Sequence, residues 1–169
     1  MVNGITRPLE TVIMYKRLVL EIIEADLSAV KNLSDLLSQE RTHLKQRNLT
    51  SLEEIVSLKS HQIKLLNTSE KMRNEIVQQA KTHRLAETWE QLVIVLNDDV
   101  LIEKWGSLKT ALKKCQHLNL LNGKLIARGQ QTNRKLRDIF QGKSEHGGLY
   151  SDSGQHSNDT TQSYTVTRA

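Results

Sequence analysis

From Leu101 to Phe140 the chain keeps one spacing without a slip: Leu101, Trp105, Leu108, Leu112, Cys115, Asn119, Asn122, Ile126, Gly129, Asn133, Leu136 and Phe140 follow at alternating steps of four and three. Residues so spaced share one face of an α-helix, and a face repeated this regularly is a seam for another helix. Asn122-Gly123 has the composition of a two-residue turn, but a turn would lose the phase, and here the phase carries through to Phe140. The spacing therefore predicts one long helix over about 99–140. Asn97, Asp98 and Asp99 supply its start, and Gly142 suits a left-handed stop.

Nothing upstream breaks a helix either, because the single proline is Pro8, acceptable in a first helical turn. A first helix over about 7–47 carries two heptad lines: Leu9, Lys16, Ile23, Val30, Leu37, Leu44, and Ile13, Leu20, Leu27, Ser34, Arg41. The polar run Lys45 to Asn48 ends it, and Thr50 to Glu53 reads as a capping box opening a second helix over about 51–83. That helix shows Ile55, Leu58, Leu65, Met72 and Ile76, with Gln62 and Ser69 as polar gaps in the seam. Two antiparallel helices of about 35 residues make a hairpin roughly 50 Å long. Leu92 to Leu96 has neither a helical nor a strand period, and a lone strand would lack a partner, so 85–96 is expected as a short buried helix. The expected fold is all-α: an antiparallel long-helix hairpin with a third long helix, forming a coiled-coil-like three-helix bundle over 1–142. Residues 143–169 have the composition of a flexible, disordered tail.

Several classes of function are disfavoured. The longest apolar run, Leu92 to Leu96, is far short of the roughly 20 residues of a membrane span. A lone cysteine and an N-terminus interrupted by Glu21, Glu24 and Asp26 point to a cytoplasmic protein. An aromatic content of 4% argues against a deep ligand pocket, and with no Gly-rich phosphate loop and scattered histidines no enzyme and no cofactor is expected. Cys115 and His117 point about 200° apart on a helix, which excludes a nucleophile and base pair. Glu40-x-x-His43 matches one half of a di-metal motif but lacks the second copy, so both side chains are expected in solvent and no metal is expected. Between Leu101 and Gln141 nine basic residues face two acidic ones, giving +7 where the whole chain is +5. Such a stripe suits nucleic acid in principle, but stacking aromatics are absent from the polar face, and a solvated flank or an acidic protein partner fits better.

Asn119, Asn122, Gly123, Gly129 and Asn133 are poor choices for a helix that needs only to be stable, each helical glycine costing about 1 kcal/mol against alanine. Seam asparagines fix register and partner, and glycines admit another backbone. One reading is a loose internal core, or a self-associating structural coiled coil. The other is a face that receives a helix from another protein.

Trp105-x-x-Leu108, Asn119-x-x-Asn122-Gly123-x-x-Ile126, Leu136 to Gly142 and Tyr150-Ser-Asp-Ser-Gly154 resemble flagellar type III export chaperones of the FlgN family. Leu36-Leu37-x-x-Glu40, Leu44, Leu52-Glu53 and Lys59 resemble that family's first hairpin, so the resemblance runs from about Leu36 to Gly154. It implies a cytoplasmic chaperone that binds hook-filament junction proteins, prevents their premature assembly and delivers them to the cytoplasmic domain of the flagellar export gate. By position, the implied client-binding residues are Leu101, Trp105, Leu108, Leu112, Asn119, Asn122, Gly123, Ile126, Gly129, Leu136 and Phe140. The implied gate-docking residue is Tyr150, followed by Ser151 where the family usually has glycine.

Overall fold

The computed structural model describes residues 6–141, and every regular element in that span is helical: α1 (Thr6–Gln46), α2 (Leu49–Thr82), α3 (Trp89–Val95) and α4 (Asp99–Phe140). Gly142, Tyr150 and the tail expected over 143–169 lie outside the described residues. Two compact units are present, one through Gly129 and one from Gln130. As expected, the helix of Asn122-Gly123 is unbroken.

α1 and α2 form the antiparallel hairpin. Its link is tight because the Asn48 N–H reaches back to the His43 carbonyl (3.1 Å), with Arg47 in the left-handed region at φ 56°. Asn48 then caps α2, its side chain accepting the Ser51 N–H. The expected Thr50 to Glu53 box is therefore corrected: Thr50 already lies inside the helix, because the asparagine takes the capping position two residues earlier. A related cap occurs at α3, where Thr88 accepts the Gln91 N–H and the Gln91 side chain reaches one residue past the cap to accept the Glu87 N–H. That cap also makes α3 shorter than the 85–96 expected. α4 starts where Asn97 to Asp99 indicate, Asp98 accepting the N–H groups of Val100 and Leu101.

Register is set by polar contacts. Lys59 of α2 reaches Glu40 of α1, and Arg73 reaches Asp26, so in both pairs the residue numbers sum to 99. α4 runs parallel to α1. Cys115 Sγ points at the Val30 carbonyl (3.5 Å) and Asn122 Nδ2 donates to the Leu37 carbonyl (2.8 Å), both at a sequence separation of 85. Lys104 pairs with Glu24 and Lys16 with Asp98 towards the other end.

α1 thus serves two neighbours, and this changes which of its residues are inside. Ile23, Val30 and Leu37 are buried as expected, but the Ile13 line lies at the edge, with Ile13 exposed and Leu20, Leu27, Ser34 and Arg41 only partly covered. The additional buried lines are Val19, Asp26, Leu33, Glu40 and Tyr15, Ile22, Ala29. α2 is also rotated from expectation. Its inner face carries Ile55, Ser69, Ile76 and Ala80, while Leu58, Leu65 and Met72 are exposed. The supposed polar gap at Ser69 faces inward because Asp26 gives it a hydrogen-bonding partner there. The apolar core concentrates where the first half of α1, the end of α2, α3 and the start of α4 meet: Tyr15, Val19, Ile23, Ile76, Ala80, Leu92, Val93, Leu96, Leu101 and Leu108.

Candidate functional site

Along α4 the buried residues are Leu101, Leu108, Cys115 and Asn122, one per heptad. Three residues of the expected client surface, Leu101, Leu108 and Asn122, therefore pack against this chain's own helices. Trp105 and Leu112 are half-buried beside the core. Trp105 owes its cover to α3, whose Trp89 meets it edge to face at 6.3 Å. Asn119 and Ile126 continue the Trp105 line beyond α3, and both are exposed. Gly123 and Gly129 are exposed too, and a Cβ built on either would meet no atom within 4 Å. Neither glycine is required by packing among the described residues.

In the second unit the described residues, Gln130 to Gln141, are all exposed and helical to Phe140. Leu136, Ile139 and Phe140 present large apolar side chains there, Phe140 at 87% exposure. Ile139, like Leu120 in the first unit, is an exposed apolar group that the seam reading passed over because it lies off the three-four spacing.

Where apolar cover thins, a polar cluster ties three helices together. Glu40 is buried, not in solvent as its sequence context suggested; Lys59 Nζ lies 2.8 Å from both its carboxylate oxygens, and Asn122 Nδ2 donates to Oε2 at 2.8 Å. Burial of this carboxylate is possible because a cation and an amide satisfy it together. The sequence held a signal for it. Acidic Asp26 and Glu40 are fourteen residues apart, as are basic Lys59 and Arg73, so the two hairpin helices carry matched charges at a two-heptad spacing.

Charge on α4 is partly answered within the chain, since Lys104 meets Glu24 and Lys109 meets Glu90 of α3. The Lys109 ammonium beside Glu90 holds that carboxyl below the usual carboxylate range. Among the described residues no three His, Cys, Asp or Glu side chains gather as a metal site, and no helix is long and apolar enough to cross a membrane. Burial pushes the Cys115 thiol up, away from the reactive thiolate.

A long-helix hairpin carrying a third helix, with exposed apolar groups and unfilled glycines on that helix, defines an all-helical bundle with an uncovered helix face. A family model described as FlgN protein matches residues 14–158, and the chain belongs to this family of flagellar export chaperones. No curated protein and no solved structure matches it.

Proposed function

We propose that the chain is a cytoplasmic carrier that holds hook-filament junction proteins unassembled and brings them to the cytoplasmic domain of the flagellar export gate. One observation carries the client-binding part: α4 commits Leu101 to Cys115 to the core, yet leaves Ile126, Leu136, Ile139 and Phe140 exposed on a helix with unfilled glycines. The contact residues are Asn119, Gly123, Ile126 and Gly129 in the first unit, and Leu136 and Phe140 in the second. Leu101, Trp105, Leu108, Leu112 and Asn122 act by holding α4 in place. A client helix burying five or six side chains gains roughly 10 kcal/mol gross, and ordering it removes much of that. The resulting moderate affinity suits a carrier that must release its load.

Gate docking is assigned to Tyr150 on the family pattern. Co-purification with a junction protein tests the reading. Ile126→Asp and Leu136→Asp are expected to reduce capture, and unchanged capture in both would refute the α4 assignment. Tyr150→Ala is expected to spare capture and impair delivery, and loss of capture instead would refute the division of labour.

A further inference from the structure

We infer that the groove between α2 and α4, which α3 fills at one end, receives a client helix along the rest of its length, lying end to end with α3. The inference rests on the client-carrier reading above and adds α2 as the second wall of the site.

Register brings the two walls level. With α1 and α2 paired at a number sum of 99 and α4 offset from α1 by 85, position 63 lies level with 121, and position 56 with 128. Ile63 and Val56 of α2 thus stand at the heights of Asn119 to Gly123 and of Ile126.

The turn of α2 about its axis decides which flank faces α4. Lys59 reaches the same Glu40 carboxylate that Asn122 of α4 reaches, so the Lys59 side is the α4 side. Val56 and Ile63, three before and four after Lys59, lie next to it on that side. Leu58 and Leu65 lie beyond Ile55 on the opposite flank.

The same two lines are covered where α3 is present and bare where it is absent. On α2, Val77 is buried near the end of the helix, while Glu70, Ile63 and Val56, one, two and three heptads back, are exposed. On α4, Trp105 is covered by Trp89 of α3, while Asn119 and Ile126 on its line are exposed. A helix already sits in this groove, and it runs out after seven residues.

That resident helix indicates the chemistry of the occupant. It turns Leu92 and Val93 inward and sets Glu90 against Lys109. The client helix accordingly carries an apolar stripe against Ile63 and Ile126 and an acidic flank towards Lys113, one turn after Lys109. From Leu112 to Ile126 the groove is about 21 Å long, or four helical turns. Gly123, with no atom near its missing Cβ, allows the close approach.

The test is calorimetric binding of the full chain to a peptide of a junction protein's terminal helix. Ile63→Asp is expected to weaken binding by at least about tenfold, the loss of one apolar contact. Leu65→Asp, on the same helix at 47% exposure against 44% for Ile63, is expected to leave it within about twofold. Urea denaturation confirms that both variants fold. Equal effects of the two substitutions, or none at Ile63, overturn the groove. If Ile126→Asp weakens binding while Ile63→Asp does not, the groove fails and the carrier reading stands. Failure of the unaltered chain to bind any such peptide removes both. A client-free dimer lost on Ile63→Asp would assign the groove to a second copy and overturn the proposal.

Discussion

Asn122 of α4 and Glu40 of α1 meet at 2.8 Å in a site closed to solvent, and Lys59 of α2 grips the same carboxylate. Three helices thereby agree on one register at the point where their apolar contacts thin. Buried charge is costly, so the value of such a cluster lies in excluding other alignments as much as in stability.

Breaking that cluster on one side is expected to be worse than removing it. Lys59→Met leaves Glu40 with the amide alone and should cost about 3 kcal/mol, whereas Glu40→Met with Lys59→Met should recover most of the loss. Urea titrations of the two variants and the parent give the comparison. A double variant no better than the single one would mean that the carboxylate needs no cation.

Asp26 makes stability depend on pH. Burial pushes its carboxyl above the ordinary value of 3.8, while the Ser69 hydroxyl and the Arg73 guanidinium pull it back only in part. The folded chain therefore holds this proton more tightly than the unfolded chain. Its contribution is fully present below 3.8 and is lost as pH rises through the raised value. Asp26→Asn removes the effect, so the parent's stability relative to the variant should decline with pH across that window in urea midpoints measured from about pH 4 upward. A difference that grows with pH would reverse the sign.

Cys115 reports on the docking of α4 against α1. Its thiol is buried against the Val30 carbonyl, so alkylation at neutral pH should be at least about a hundredfold slower than for a free cysteine, as expected for a site that reacts only on opening. Asn122→Ala, by removing the adjacent tie to α1, should speed the reaction. An unchanged rate would show that α4 stays docked without that amide.

Gly123→Ala separates stability from function. With nothing near the added methyl, the free protein should gain about 1 kcal/mol from helix propensity. Client affinity should fall if a partner backbone approaches there. A gain in stability with undiminished affinity would show that the glycine serves no partner.

Much of the fold was legible from spacing alone. The unbroken three-four rhythm from Leu101 to Phe140, the lone early proline and the polar break near Asn48 determined three long helices and the hairpin, because helix continuity and period are local properties. The faces were not legible to the same degree. α1 lies between two partners, so three of its heptad lines are buried, Asp26 and Glu40 among them, and no single stripe could reveal that. The ends of α1 and α2 fall within a residue of the expected 47 and 83, although Arg47 and Arg84 take positive φ there in place of glycine. On α4 the rhythm assigned Leu101 and Ile126 to one seam, but the tertiary structure parts them, burying Leu101 in the core and leaving Ile126 bare. The physical reason is cover, which depends on where other segments end. α3 is seven residues long, and nothing in the period of α4 encodes where that short helix stops.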